Sequence, residues 1–252
     1  MLRRLFHRRR ALLGDERGFT LIETLVALVT GFAVMGGLFA VLEVSLHQST
    51  RVADYVQASQ LGRTAMTHIV DELHSACLGP GFTPVQAGST GETLIFRTGY
   101  SEKAELTEAR QEKVIWEGET LTEKTYPSSS GSWPNFNYAE APTSTVLLGK
   151  NITKAEEVAK TPQPIFTYYK YAVTSSSATS APSSTLEKMT VPAVGGFTAP
   201  EAAQVASVLI AFRAGPVSTI NDATRKVDLS SQVTFAFSSP SSEASVEAAP
   251  CE

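Results

Sequence analysis

The chain has 252 residues, of which 42% are hydrophobic, 18% charged and 8% aromatic, with two cysteines and a formal net charge of −4. This composition excludes a disordered chain, a collagen-like repeat and a disulfide-rich scaffold, and the length fits one domain or one domain with an appendage. The totals describe a slightly acidic globular protein, but the charge is distributed very unevenly.

The first 18 residues form a basic segment that precedes an apolar one. They contain six arginines and two acidic residues, a net charge of +4, which leaves −8 for the rest of the chain. An uncharged stretch of 19 residues, Thr24 to Leu42, then lies between Glu23 and Glu43. A helix of this length nearly crosses a ~30 Å hydrocarbon core. Because Lys and Arg collect on the cytoplasmic side of membrane segments, the pattern predicts a span with a cytoplasmic N-terminus.

Two alternatives for the apolar segment are a buried core helix and a cleaved secretory signal. Core helices rarely exceed ~10–14 uncharged residues. A secretory signal ends its apolar region at an A-x-A-like cleavage site, whereas this region ends in Leu42-Glu43-Val44-Ser45-Leu46. The small residue placed for cleavage is Gly18, and a cut there removes the basic segment but keeps the span.

The residues around Gly18 resemble a known processing site. Arg17-Gly18-Phe19-Thr20-Leu21-Ile22-Glu23, followed by an uncharged apolar run, is similar to the site in type IV prepilins and type II secretion pseudopilins. In that family a membrane-embedded peptidase cuts after the glycine and methylates the new N-terminus. The resemblance implies cleavage between Gly18 and Phe19, methylation of Phe19, and Glu23 as the acidic fifth residue of the mature subunit.

Glu23 is a candidate assembly residue because a carboxylate inside a membrane needs a partner. Its insertion costs ~2.5–3.5 kcal/mol, and the positive end of the helix returns only ~0.3–1 kcal/mol. The resemblance implies a better partner, the methylated amine of Phe19 on a neighbouring subunit, so that the pair sets the axial register of packed helices. The alternative is a carboxylate that reaches the lipid headgroups and has no further role.

Beyond the span, the helix is predicted to continue in water as an amphipathic helix that ends at Gly79-Pro80-Gly81. Its apolar stripe comprises Leu42, Leu46, Val52, Val56, Met66, Ile69, Leu73 and Cys77. One helix from about Thr20 to Leu78 resembles the pilin stalk. The predicted segments are a leader at 1–18, a transmembrane and assembly helix at 19–46, its amphipathic continuation at 47–78, and a β-rich extracytoplasmic head at 79–252.

From Gly81 onward, short β-type runs alternate with turn-rich segments, and a hairpin is predicted from Val114 to Lys124 around Glu117-Gly118-Glu119. Packing an antiparallel sheet on the second half of the long helix gives an α+β, pilin-like fold, which is our predicted class. The charged stretch Lys154 to Lys160 is the one helical competitor. The predicted strands are Leu94-Ile95-Phe96, Val114-Ile115-Trp116, Leu121 to Tyr126, Val146-Leu147-Leu148, Ile165 to Tyr171, Val205 to Phe212 and Val233 to Phe237. Exposed loops or a tail are predicted for the Ser/Thr-rich pieces Pro127 to Ser132, Thr174 to Thr185 and Ser238 to Ala249.

A second segment narrows the resemblance to minor subunits. Arg63 to Ala76, RTAMTHIVDELHSA, is similar to the stalk segment of PilW-like minor pilins and J-type pseudopilins, with His74 in place of the usual arginine. The resemblance implies a structural subunit, not an enzyme, that helps initiate or decorate a pilus-like filament. Its partners would be the prepilin peptidase, other pilin or pseudopilin subunits and an inner-membrane assembly platform.

The competing hypothesis is a single-span membrane-anchored enzyme or binding protein whose β-rich head carries the activity. Motifs for such an activity are few: there is no G-x-S-x-G or H-E-x-x-H, and Gly149-Lys150-Asn151 fails the phosphate-loop pattern. His68 and His74 fall on different helix faces, so no metal or cofactor is predicted. The acidic mature chain shows no basic stripe, which disfavours nucleic-acid binding. The aromatic run Trp133 to Tyr138 is either a binding surface for a sugar or partner or a small core under a loop.

Cys77 and Cys251 are the two cysteines, and the predicted topology places both outside the cytoplasm, where disulfides persist. A bridge would close a loop of about 175 residues and contribute roughly 5 kcal/mol in the entropy model. Alternatively, Cys77 is a buried apolar residue and Cys251 lies at a frayed terminus.

Overall fold

The computed structural model describes residues 18, 20–76, 83–99, 109–132, 135–156, 162–172, 185–192, 194–217 and 225–235. The chain divides into two compact units, residues 1–51 and 52–252. The long N-terminal helix is confirmed as α1 (Leu21–His74), which contributes residues to both units. Strands dominate the rest of the described chain, so the fold class is α+β.

The described part of the second unit contains ten strands and a short helix in addition to the end of α1. The helix α2 (Ala199–Ala202) lies between the eighth and ninth strands. The strands are β1 (Thr93–Thr98), β2 (Arg110–Glu117), β3 (Thr120–Ser132), β4 (Asn135–Tyr138), β5 (Ser144–Lys150), β6 (Ile152–Lys154), β7 (Phe166–Tyr171), β8 (Leu186–Lys188), β9 (Ser207–Ala214) and β10 (Val227–Thr234).

These strands form two antiparallel sheets of five strands each. In the first sheet, β2 lies between β1 and β3. The strand β3 also pairs with β5 along its first half and with β4 along its second half. In the second sheet, β9 is central, with β10 on one side and β7 and β6 on the other, and β8 pairs with the outer side of β7. The described strands therefore form two sheets, which corrects the prediction of one antiparallel sheet.

All seven predicted strands overlap observed strands, and the hairpin is confirmed. Glu117 pairs with Thr120 across the two-residue turn Gly118-Glu119. The φ angles of these turn residues are 55° and 63°. Positive φ at both central positions is the conformation of a type I′ turn, whose twist matches that of the flanking strands.

The prediction of a loop from Pro127 to Ser132 was wrong, because this Ser-rich segment is the second half of β3. It pairs with β4, and the Ser128 N–H donates to the Ala109 carbonyl at 2.9 Å. Serine has a weak intrinsic preference for strands, but such preferences depend strongly on context. Here the backbone hydrogen bonds at the margin of the sheet outweigh that weak preference. Lys154, the first residue of the predicted helical competitor, pairs with Phe212 as part of β6, whereas residues 157–160 lie outside the described residues.

The core of the second unit lies against the C-terminal part of α1. Periodicity correctly placed Met66, Ile69 and Leu73 on the buried face, but Val52 and Val56 are 63% and 46% exposed. Small side chains form the rest of that face, at Ala58, Gly62 and Ala65. The core residues that both sheets contribute include Leu94, Phe96, Val114, Leu121, Phe166, Tyr168, Ile210 and Phe212.

Gly62 lies directly against the second sheet. A Cβ atom at this position would be 2.4 Å from Cδ1 of Leu229 and 2.7 Å from Cβ of Ala214. Ordinary carbon contacts lie at ~3.5–4.0 Å. The missing side chain of Gly62 therefore sets the distance at which this part of α1 packs on β9 and β10.

Two polar contacts hold distant parts of the second unit together. The buried Tyr168 hydroxyl donates to the Thr90 carbonyl at 2.8 Å. The guanidinium of Arg225, just before β10, pairs with the carboxylate of Asp54 on α1, with 14% and 19% of these side chains exposed. Both contacts join segments far apart in sequence, so they fix the tertiary arrangement rather than local structure.

Candidate functional site

The first candidate site is the start of α1, where Thr20 is the N-cap. The Glu23 N–H lies 3.3 Å from Thr20 Oγ1 and 3.0 Å from the Thr20 carbonyl. A hydroxyl that accepts from the third helical N–H satisfies a donor that the helix leaves unpaired. The Thr-x-x-Glu spacing is also the capping-box pattern. Our sequence reasoning missed the N-cap at Thr20, although the spacing itself was a usable signal.

Gly18 and Glu23 are both exposed, and no described residue forms an ion pair with Glu23. A Cβ atom at Gly18 would meet no atom within 4 Å. The remaining predicted residues of this kind, Phe19, Cys77 and Cys251, lie outside the described residues, so the methylation site and the disulfide stay predictions.

The segment that follows is apolar and exposed all round. Its large apolar side chains between Leu21 and Leu46 are 53–83% exposed. The most apolar window of 18 residues has a mean hydropathy of 2.4, and none of it is buried. A core helix of a soluble domain would bury one face against its own chain. The first half of α1 is therefore a candidate membrane span by length and composition.

A second candidate site lies in the second unit between α1 and the first sheet, and we call it the carboxylate cluster: His68, Glu72, Glu112 and Glu123. Nε2 of His68 is 2.6 Å from Oε2 of Glu123 on β3. Glu112 on β2 is paired in register with Thr125 of β3. Thr125 comes two residues after Glu123 and therefore lies on the same face of the sheet. Glu112 and Glu123 are only 4% and 5% exposed. Two carboxyl groups thus occupy positions on the covered face of the sheet.

Each of the two buried carboxyl groups has an oxygen without a hydrogen bond among the described residues, Oε2 of Glu112 and Oε1 of Glu123. Burial raises the pKa of Glu112 to about 7, with the nearby charges of Glu123 and Glu72 adding to the rise and the Thr125 hydroxyl opposing it. The cost of desolvating an ionised carboxylate is the physical cause.

The pKa of the two helix residues in the cluster is also raised. For Glu72 the causes are burial and then the charge of Glu123. For His68, burial by itself lowers the pKa, but the hydrogen bond and the charge of Glu123 outweigh it. His68, Glu72 and Glu112 therefore bind protons more tightly than the same groups in water.

Sequence reasoning did not find the cluster, because it considered His68 only as a possible metal ligand. The signal was present in the strand alternation. In β2, Glu112 is two residues before the inward Val114, and in β3, Glu123 is two residues after the inward Leu121. Because successive side chains of a strand point to opposite faces, residues two apart share a face, so each glutamate lies on the same face as its apolar neighbour. This pattern predicts a buried acid.

Metal ligation has no site in the part of the chain that the structure describes, where no group of three or more His, Cys, Asp or Glu side chains is placed to hold an ion. His47 of the first unit contacts the Glu43 carbonyl through Nδ1 at 2.9 Å. The raised pKa values of His68, Glu72 and Glu112 indicate that the carboxylate cluster can bind protons.

Two neighbouring cavities, each of about 450 Å³, share the walls formed by Gly91, Pro164 and Val191. One extends to the buried Phe166 and to Met189 and Lys188. In the other, the ammonium group of Lys154 is 2.5 Å from Oε1 of Glu92 and lies over the Trp116 ring. These walls offer apolar contacts and one neutralised charge pair, which suits binding better than catalysis.

The aromatic run is only partly described. Its second half forms β4, and the guanidinium of Arg97 lies 5.3 Å from the centre of the Tyr138 ring. Trp133 and Pro134 lie outside the described residues, so the two interpretations of the run both remain.

No family model matches this chain, and no curated protein and no solved structure matches it either. Its function is therefore inferred from its own residues and geometry.

Proposed function

We propose that this protein is a minor pilin or pseudopilin, a structural subunit that helps initiate or decorate a type IV pilus-like filament. The observation that carries the proposal is one juxtaposition. The sequence Arg17-Gly18-Phe19-Thr20-Leu21-Ile22-Glu23 directly precedes a helix segment, Leu21 to Leu46, with exposed apolar side chains all round. Such a segment needs lipid or other helices to cover it.

In this proposal the prepilin peptidase cuts between Gly18 and Phe19 and methylates Phe19. The exposure of Gly18 is consistent with access by a peptidase. The +4 segment keeps the N-terminus in the cytoplasm before the cut, and the second unit lies on the other side of the inner membrane. The uncharged run is long enough for a single pass.

Glu23 then acts in assembly, through the Phe19 amine of a neighbouring subunit. Two observations support this role. The carboxylate is exposed with no ion-pair partner among the described residues, and its place one turn into α1 keeps it at the positive end of the helix. Removing an unpaired carboxylate from water costs free energy. Packing Glu23 between apolar helices is therefore more favourable beside a subunit that places an amine at the same depth in the membrane.

The partners in this proposal are the prepilin peptidase, other pilin or pseudopilin subunits and the inner-membrane assembly platform. Gly31, Gly36 and Gly37 support helix packing, because a Cβ at any of them would meet no atom within 4 Å in the isolated chain. Surfaces of small residues let helix backbones approach closely in membranes.

Mass spectrometry of the mature N-terminus tests the proposal directly. We expect a chain that begins at Phe19 with a methylated amine after expression in a host with a prepilin peptidase. The matched control is Gly18→Ala, which should remain uncut. A mature chain that begins elsewhere, or an uncut parent chain in the presence of an active peptidase, refutes the proposal.

Substitution of Glu23 tests the assembly role. We expect Glu23→Ala to insert and be processed but not to enter filaments, whereas Glu43→Ala, at the other end of the same uncharged run, should be incorporated normally. Glu23→Gln separates charge from local capping, since an amide can still cap the helix but cannot pair with an amine. Incorporation of the Gln variant at the parent level would exclude the ion-pair role.

The second candidate function is a membrane-anchored binding protein, which the two neighbouring cavities favour. The cavity that extends to Phe166 and Met189 has the size and the mainly apolar lining of a small-ligand site. In that case Glu23→Ala would leave ligand binding unchanged, and Thr190→Trp, which enlarges an exposed residue that lines this cavity, would abolish it without affecting membrane insertion.

A further inference from the structure

We propose that the carboxylate cluster is a proton-dependent latch that holds the C-terminal part of α1 against the first sheet. This inference does not depend on the proposed function. The latch joins one helix to two strands through His68 and Glu72 on α1, Glu112 on β2 and Glu123 on β3.

The latch has direct and geometric support. The ring of His68 contacts Glu123 at 2.6 Å and is the polar link between α1 and β3. Glu112 and Glu123 are almost completely buried, yet each has an oxygen without a described hydrogen-bond partner. Burying a carboxyl group that lacks a hydrogen-bond partner costs much more free energy when the group is ionised than when it is protonated.

The charges around the cluster do not balance at neutral pH. The acidic groups are Glu72, Glu112 and Glu123, with Asp71 at the helix margin. The facing cations are His68, when protonated, and Arg110, which is exposed at the start of β2. The acids outnumber the cations, so the packed arrangement is favoured when at least one carboxyl group holds a proton.

The direction of the pH effect follows from linkage. The folded-state pKa of Glu112 is raised from 4.5 to about 7, so the stability contributed by its protonation is fully present below pH 4.5 and is lost as pH rises through 7. The pKa values of His68 and Glu72 are raised too, so they act in the same direction. The helix is therefore held most firmly in mild acid and released as the solution becomes alkaline.

Hydrogen exchange of the full chain in detergent micelles measures the latch without any substitution. We expect the ratio of intrinsic to observed exchange rates for residues 62–74 of α1 to fall roughly 30-fold from pH 5.5 to 8.5, since Glu112 accounts for a change of that order. A ratio that stays constant across this range overturns the proposal.

A matched pair of variants identifies the titrating group. Glu112→Gln imitates the protonated acid, so the ratio should stay high at pH 8.5 and lose most of its pH dependence. Glu117→Gln makes the same change at an exposed position of the same strand and should behave like the parent chain. Retention of the full pH dependence by Glu112→Gln overturns the assignment. If that variant does not fold, the exchange ratio of the parent chain still decides the proposal.

Discussion

Gly62→Ala tests whether the absence of a side chain sets the packing of α1 on the second sheet. In an exposed helix this substitution would stabilise the protein by up to ~1 kcal/mol, because alanine is the better helix former. At Gly62 the new Cβ would lie 2.4 Å from Leu229 Cδ1 and 2.7 Å from Ala214 Cβ. The sign of the effect therefore depends on whether these two atoms can move.

The two neighbours differ in their freedom. The tip of the Leu229 side chain can rotate away, but the Cβ of Ala214 is fixed to the backbone of β9, which pairs with strands on both sides. Relief of that contact requires the helix or the strand to shift, and such overpacking costs ~1–3 kcal/mol. Because a 2.7 Å contact with a fixed Cβ is very short, the cost should lie in the upper part of this range, ~2–3 kcal/mol. Subtracting a helix-propensity gain of ~1 kcal/mol leaves a net loss of about 1–2 kcal/mol.

Thermal unfolding of the detergent-solubilised chain, followed by circular dichroism, measures this loss. We expect Tm to fall by about 2–8 °C, given ~2–4 °C per kcal/mol for a protein of this size. Gly36→Ala is the matched control, since a Cβ there meets no atom within 4 Å. Adding Ala214→Gly, which removes the fixed Cβ, should recover part of the loss. A Gly62→Ala chain as stable as its parent would show that the close approach is not a constraint.

Three further substitutions probe the core and its polar contacts. Ile69→Ala, at a residue with no exposed surface, should lower the free energy of unfolding by ~2–5 kcal/mol in urea titrations, and a loss below 1 kcal/mol would contradict its core position. Tyr168→Phe removes the 2.8 Å hydrogen bond to the Thr90 carbonyl and should cost ~1–3 kcal/mol in the same assay, because the carbonyl is left unpaired. Asp54→Asn should cost about 1–3 kcal/mol and reduce the salt dependence of unfolding, because it removes the charge opposite Arg225; an unchanged salt dependence would contradict that pairing.

The parts of the fold that local pattern controls were predictable. Turn residues and β-branched runs placed the seven strands, and Glu117-Gly118-Glu119 placed the hairpin turn within one residue of its position. The long helix was predictable because its apolar and amphipathic halves both follow helical rules. Each of these features depends on residues close together in the chain.

The parts that long-range pairing controls were not predictable. Division of the strands into two sheets depends on partners such as β6 and β9, which are separated by more than 50 residues. The Ser128 to Ser132 part of β3 is a strand only because β4 pairs with it. The helix face at Ala58, Gly62 and Ala65 could not be recognised from hydrophobicity, because its residues are small. They are buried because the sheet packs close to the helix backbone there.

The candidate sites divide in the same way. Gly18, Phe19 and Glu23 were nominated by a contiguous motif, and the structure adds the cap at Thr20 that the motif contains. The carboxylate cluster required knowledge of which strand faces His68, since 55 residues separate it from Glu123. Sequence alternation could have shown that both glutamates face inward, but not that a histidine would meet one of them.

The cap of α1 has a consequence for the proposed processing step. Thr20 and Glu23, which form the first turn, both lie on the C-terminal side of the Gly18-Phe19 bond. Cleavage of that bond removes none of the hydrogen bonds that the described residues make in the first turn, so the proposed mature subunit keeps its own N-cap. In the proposed mature subunit a single residue, Phe19, carries the new amine and directly precedes the first capped turn.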